Sequence, residues 1–224
     1  MEKVRTILLN RSAYADNDLE ANALRAFLKD HDTFVVNLMS SPGAGKTTTL
    51  TKLINILKKE YKIGVMEADI DSDVDAISIA KNTGVASIQL HTNGMCHLDA
   101  GMTKAGLDGI NFKDFDLIFL ENVGNLVCPA EFDTGASMDM MILSVPEGDD
   151  KPIKYPLVFE KSKLVIINKI DAMPYFDFDL DKCISNIKYR NKDATIIPVS
   201  AKTGENIELV AEYFKKTISA WRNN

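Results

Sequence analysis

Phe34-Val-Val-Asn-Leu-Met39 runs without a break into Ser40-Ser-Pro-Gly-Ala-Gly-Lys-Thr47, and then into TTLTKLINILKK (48–59). The first six residues are an apolar run of strand length. The last fourteen, from Lys46 to Lys59, put Leu50, Leu53, Ile54 and Leu57 on one helical face. Between them lies a glycine-rich turn close to the phosphate-binding pattern G-x-x-x-x-G-K-[ST]. Ser40 stands where that pattern has its first glycine; Gly45, Lys46 and Thr47 match. Such a turn aims successive N–H groups at phosphate oxygens, and the helix behind it adds its positive end. The candidate phosphate-binding residues are therefore Ser41, Pro42, Gly43, Ala44, Gly45, Lys46, Thr47 and Thr48. Lys46 is assigned to the β- and γ-phosphates and Thr47 to Mg²⁺. A plain strand-to-helix turn is the bland alternative, and the order strand, loop, GKT, helix argues against it.

Outward from this unit, apolar runs alternate with helical patterns. Strands are expected at Ile63–Glu67, Ser87–Leu90, Asp116–Leu120, Met140–Val145, Leu164–Asn168 and Thr195–Val199, and helices at Asp73–Lys81 and Gly204–Ala220. Runs apolar on both faces imply an α/β fold with a mostly parallel sheet flanked by helices, the P-loop NTPase class. Ligands of such sheets sit at the carboxyl ends of the strands. Residues 1–32 read as an N-terminal helical extension and 33–224 as the P-loop domain with an embedded metal site. Within the extension, 16–30 has Leu19, Ala23, Leu24, Phe27 and Leu28 on one face, and Asp16 or Asp18 as caps.

Asn168-Lys169-Ile170-Asp171 closes one apolar run and reads N-K-x-D. A carboxylate there accepts from N1–H and the 2-amino group of guanine. Adenine lacks both donors and would leave it unpaired, at about 1–3 kcal/mol or more. The Lys169 stem is expected over the base, and Asn168 as a tie to the phosphate loop. Ser200-Ala201-Lys202 resembles the loop that backs guanine O6 in GTPases. GTP is thus the expected nucleotide.

DLIFL ends in Glu121-Asn-Val-Gly124, an acid at a strand tip with a glycine three residues on. Glu121 is a candidate Mg²⁺ ligand, directly or through water, and the Gly124 N–H a candidate reader of the γ-phosphate. MEADID (66–71) offers Asp69 and Asp71 for Mg²⁺ or for the attacking water, with helix capping as an equal alternative for Asp71 and Asp73. Lys46, Thr47, Asp69 and Glu121 are the candidate catalytic set. No catalytic glutamine or arginine finger stands out, so slow intrinsic hydrolysis is expected.

Of the 224 residues 46% are hydrophobic and 26% charged, with a net charge of −6. That balance suits a single globular domain and gives no basic field for nucleic acid or an anionic membrane. No secretory leader or spanning segment is read in the sequence, so a cytoplasmic protein is expected. Cys96, Cys128 and Cys183 are too few and too odd in number for a disulfide framework. Cys96 adjoins His97, and Cys128 follows the Glu121 loop; thiolate and imidazole suit Zn²⁺ or Ni²⁺. Small buried hydrophobes are the other reading of these cysteines, and the one taken for Cys183.

The stretches SSPGAGKTTTL (40–50), MEADIDSDVDA (66–76), TNGMCHLDAGM (92–102), LENVGNLVCPA (120–130), VPEGDDKPIKYP (145–156) and NKIDAMP (168–174) resemble the HypB family, nickel-incorporation GTPases of nickel–iron hydrogenase maturation. The resemblance runs from about residue 14 onward. It implies a SIMIBI-class GTPase that dimerises with nucleotide. It implies a Ni²⁺/Zn²⁺ site of Cys96, His97 and Cys128, completed or shared across the dimer. It also implies handover of nickel, with a small HypA-type nickel-chaperone partner, to the hydrogenase large subunit. Lys154 in the loop 147–156 is a candidate GTP-binding residue that makes nucleotide-dependent dimer contacts. The cysteine-rich and histidine-rich N-terminal stretches of some members are not found here, so neither an N-terminal nickel site nor storage is expected. Other readings are a nickel or cobalamin GTPase chaperone for another metalloenzyme, a GTPase switch with structural cysteines, and an ATP-dependent kinase.

Overall fold

The computed structural model describes residues 11–69, 74–92 and 94–223, with backbone only for 11–14. The elements in chain order are α1 (Arg11–Asp30), β1 (Phe34–Ser40), α2 (Lys46–Leu57), β2 (Ile63–Asp69), α3 (Val74–Thr83), β3 (Ala86–His91), α4 (Ala100–Ile110), β4 (Leu117–Glu121), α5 (Cys128–Glu131), β5 (Met138–Ser144), α6 (Lys151–Lys154), α7 (Pro156–Lys161), β6 (Leu164–Asn168), α8 (Leu180–Arg190), β7 (Thr195–Pro198) and α9 (Ile207–Asn223). The strands form one seven-stranded sheet in the order β3-β2-β4-β1-β5-β6-β7, and every pairing is parallel. Among the described residues no helix is long and apolar enough to cross a membrane.

Alternation along β1 divides the core. Phe34, Val36 and Leu38 pack with Leu50, Leu53, Ile54 and Leu57 of α2 and with Val210, Phe214 and Ile218 of α9. Val35 and Met39 face the other way, into two separate clusters. Between those two on β1 sits Asn37, whose Nδ2 donates to Asp139 Oδ1 of β5 at 2.8 Å. A polar row thus separates the cluster under α1 and α4 from the one under α7 and α8. β1, β4 and β6 are buried throughout, as parallel strands covered on both faces must be.

Three expectations need correction. α1 begins at Arg11, so Asp16 and Asp18 lie inside it and are not caps. Its buried face is Asn17, Ala21, Leu24 and Leu28, while Leu19 is 71% exposed and Phe27 lies at the rim. The 3.6-residue period set by Leu24 and Leu28 runs back through Ala21 and Asn17, leaving Leu19 on the far side. α4 is a helix where no element was expected; Asp99 caps it by accepting from the Met102 N–H. A Cβ at Gly106 would come within 2.9 Å of Leu90 Cδ1. The glycine is there so that the helix can approach the sheet. Asp71 and Asp73 lie outside the described residues.

Candidate functional site

The phosphate loop leaves the carboxyl end of β1 and enters α2. Ser40 is fully buried at the strand end, and its Oγ donates to the Ser41 carbonyl at 2.8 Å. It is not among the positive-φ residues, so a serine is tolerated where the common pattern has glycine. Gly45 has no such latitude. Its φ is +95°, and a Cβ there would lie 2.5 Å from Asn168 Nδ2. That amide donates to the Ala44 carbonyl at 2.9 Å, so the NKID loop is tied to the phosphate loop as expected. Asn168 Oδ1 accepts from the Lys169 N–H at 2.7 Å and the Ala201 N–H at 3.0 Å. One buried asparagine therefore joins the ends of β1, β6 and β7. Lys169 adopts φ 65° and donates from Nζ to the Gly43 carbonyl at 2.6 Å. Ser200 Oγ donates to Asp171 Oδ1 at 2.6 Å, orienting the carboxylate. Ala201 is buried and Lys202 exposed beside it.

A cavity of about 320 Å³ opens beside the loop, lined by Gly43, Lys46, Glu67, Asp69, Asp75, Gln89, Asn122 and Gly124 among others. Lys46 Nζ stands 3.6 Å from Glu121 Oε1. Thr47 Oγ1 donates to Asp75 Oδ1 at 3.0 Å. Gly124 packs on the phosphate loop, where a Cβ would lie 3.1 Å from Pro42 Cγ. Strand register places Glu67 beside Glu121 on one side and beside Gln89 on the other. Glu67 Oε1, Glu121 Oε2 and both Gln89 amide atoms are buried without a hydrogen-bond partner among the described residues. Orphaned buried oxygens beside a threonine hydroxyl and an aspartate are a donor set that fits Mg²⁺.

Burial, the adjacent Glu121 charge and the hydrogen bond between the two carboxyls push Glu67 up to about 10. Burial also raises Glu121, against which the Lys46 ammonium pulls it down. At neutral pH this favours the protonated form of Glu67 beside Glu121.

The metal-type residues flank this cavity. Cys96 and His97 lie between β3 and α4, and Cys128 starts α5. The Cys128 thiol lies beside Cys96, and that neighbour, with burial, holds the Cys96 thiol above its ordinary value. His97 Nδ1 is 3.8 Å from Cys96 Sγ. The His97 ring stacks on Phe132 at 3.8 Å and 10°, and burial lowers its pKa, which favours the neutral imidazole a metal needs. Among the described residues, no three His, Cys, Asp or Glu side chains close on one metal-sized point within the chain. The thiols provide a soft pair, with the imidazole alongside.

The profile of the CobW/HypB/UreG nucleotide-binding domain matches residues 34–198. The hydrogenase maturation factor HypB of Azotobacter chroococcum is 42% identical over 92% of this chain and 68% of its own. The chain belongs to the HypB family. The crystal structure of HypB from Helicobacter pylori in complex with nickel superposes with a TM-score of 0.86 at 34% identity, covering 92% of this chain and 96% of that one. The structure of the signal recognition particle 54 kDa protein from Aeropyrum pernix in complex with GDP, at 14% identity, covers 84% of this chain and 48% of that one, and shares the fold alone with a TM-score of 0.56. As a HypB-family domain, the chain has the P-loop nucleotide-binding architecture expected from residues 34–47.

The structure brings together most of the residues singled out in the sequence of this HypB-family chain. Lys46, Asp69, Glu121 and Gly124 share the cavity, with Thr47 at its rim on Asp75. Thr48 is exposed on the first turn of α2. Lys154 does not line the cavity. It pairs with Asp150 at 2.5 Å and borders a small cleft with Leu126, Val127 and Glu131. Cys183 is fully buried in α8, as expected. Sequence reading missed Glu67, Asp75, Gln89 and Asn122. The alternation of MEAD, with Glu67 in phase with Asp69, was the available signal for the first.

The Glu67 proton gives a stability prediction. A carboxyl with a raised folded-state pKa stabilises below its unfolded value, about 4.3 for glutamate, and that contribution is lost as pH rises toward 10. Glu67→Gln keeps a donor toward Glu121 without the ionisation. The nucleotide-free variant is expected to show a flatter decline of Tm between pH 5 and pH 9 than the parent; equal slopes would place the titration elsewhere.

Proposed function

We propose that this chain is a GTP-hydrolysing metallochaperone that couples its nucleotide state to nickel or zinc binding and delivers nickel during maturation of a nickel–iron hydrogenase. The observation that carries the proposal is the Cys96–Cys128 thiol pair, with Cys128 on the segment that leaves β4 directly after Glu121 and Gly124. One stretch of backbone then faces the γ-phosphate at its start and holds a metal donor at its end.

In this reading Asp171, steered by Ser200, accepts from guanine. The loop from Ser41 to Thr48 cradles the phosphates, with Lys46 across the transferred group and Gly124 at its edge. Thr47, Glu121 and Asp69 would hold Mg²⁺, which would supply charge neutralisation. Asp75 holds the Thr47 hydroxyl in place. Cys96, His97 and Cys128 take Ni²⁺ or Zn²⁺. Three donors are one short of a closed tetrahedral site, which a second copy of the chain supplies in a nucleotide-dependent homodimer. The nickel complex of the Helicobacter pylori relative supports the cargo. A small HypA-type partner and the hydrogenase large subunit, in the cytoplasm, complete the handover. Residues 1–32 are assigned as the extension and 33–224 as the GTPase domain.

The test is a Ni²⁺ and Zn²⁺ titration of the reduced chain with GDP and with a non-hydrolysable GTP analogue, alongside Cys96→Ala and Cys128→Ala. Near-stoichiometric binding that needs both thiols and shifts with the nucleotide is expected. The shift corresponds to a coupling of about 1–3 kcal/mol and must be reciprocal. Binding must also release protons and tighten as pH rises, because the thiols have to ionise. Weak binding unchanged in both variants would leave a GTPase with structural cysteines.

A further inference from the structure

One side chain connects the two halves of this machine. Asn122 follows Glu121, is completely buried and lines the phosphate cavity. Its Oδ1 accepts from the Leu98 N–H at 3.3 Å and from the Val123 N–H at 2.9 Å. Leu98 is the residue after His97, and its own side chain is 1% exposed in the core. Val123 is the first step of the segment that runs through Gly124 to Cys128. The Asn122 Nδ2 donates to Asn37 Oδ1 at 3.0 Å, and its backbone N–H donates to the Leu38 carbonyl at 2.9 Å. Asn37 is held in turn by Asp139.

This arrangement is asymmetric. The amide nitrogen of Asn122 is fixed to β1, the central strand of the sheet. Its oxygen is shared between two N–H groups that belong to different loops, one leading out of the Cys96–His97 turn and the other into the Cys128 segment. A buried N–H deprived of its acceptor is costly, so neither loop can leave Asn122 without a replacement partner. A shift of Val123 and Gly124 toward a γ-phosphate therefore alters the seat of Leu98, and with it the position of His97 and Cys96 relative to Cys128.

We propose that Asn122 is the positioning residue through which nucleotide state is read at the metal donors, by holding Leu98 and Val123 on one oxygen. It touches neither nucleotide nor metal in this role. The inference rests on the reading of the chain as a nucleotide-coupled metal carrier.

The experiment compares Ni²⁺ affinity of the full reduced chain in the GDP–Mg²⁺ state and with a non-hydrolysable GTP analogue and Mg²⁺, for the parent and for Asn122→Ala. The parent ratio is expected within about 5- to 150-fold, the ordinary range of such couplings. In Asn122→Ala the ratio should collapse toward one, while nickel is still bound in the GDP state through both thiols. A parent ratio above one that persists in Asn122→Ala overturns the role of Asn122 and leaves the carrier reading intact. A parent ratio of one sinks the carrier reading, and this inference falls with it. Hydrogen exchange of the metal-free parent covers the case in which the variant does not fold. Replacing GDP by the analogue should change protection of the Leu98 amide together with residues 121–128. A Leu98 amide that stays constant while 121–128 changes overturns the inference.

Discussion

Asp171→Asn is expected to lower GTP affinity by about 10²-fold or more and to raise affinity for xanthosine triphosphate. The lost interactions are two donors on one charged acceptor, each worth about 1.5–3 kcal/mol, and 1.4 kcal/mol is a factor of ten. Xanthine carries a carbonyl where guanine carries the 2-amino group, so the asparagine NH₂ has an acceptor to meet. The substitution is gentle on the protein. Asp171 Oδ1 accepts from Ser200 Oγ, and an asparagine oxygen does the same. Competition among GTP, ATP and xanthosine triphosphate on parent and variant checks this. ATP bound as well as GTP by the parent would remove guanine selection and restore the kinase reading.

Lys46→Ala carries the other large effect. Removing one preorganised charge at the transferred group costs about 10²–10³ in kcat, and the intrinsic rate is expected to be slow already. The variant is also expected to behave differently without nucleotide. Lys46 is the cation that pulls the buried Glu121 toward ionisation, against burial. Without it the pKa of Glu121 rises further, favouring the neutral acid, so magnesium binding should weaken along with hydrolysis. Single-turnover phosphate release and a Mg²⁺ titration with bound GDP test the two parts. Hydrolysis at the parent rate would exclude Lys46 from the transferred phosphate.

The residues of the phosphate loop were legible because their chemistry is local. A strand, a turn that needs Gly45 at positive φ, and an amphipathic helix all lie within one short stretch, and each is dictated by neighbours in sequence. NKID and SAK were legible as signatures for the same reason, although their linkage through Asn168 spans 124 positions to the Ala44 carbonyl. The errors fall where a distant surface decides. α1 shows Leu19 to solvent because the surface it lies on accommodates only the Asn17–Leu28 stripe. α4 contains Gly101, Gly106 and Gly109, and at Gly106 the missing Cβ lets it pack closely on Leu90 and Met66. In both cases packing against another element overrides the local pattern.

Sequence by itself determined the element types around residues 34–47, the parallel character of the sheet, the family, and the list of residues able to do phosphate and thiol chemistry. Tertiary structure alone decided which of them meet. The order β3-β2-β4-β1 brings Gln89, Glu67 and Glu121 into one row; burial of two adjacent carboxyls then favours the protonated form of Glu67. The same order sets the turn after β3 against the segment after β4, so that Cys96 reaches Cys128 and Leu98 reaches Asn122. Side-chain identity fixes what a group can do. Its pKa, its partners and its coupling to another site depend on dielectric and distance, which exist only once the chain has folded.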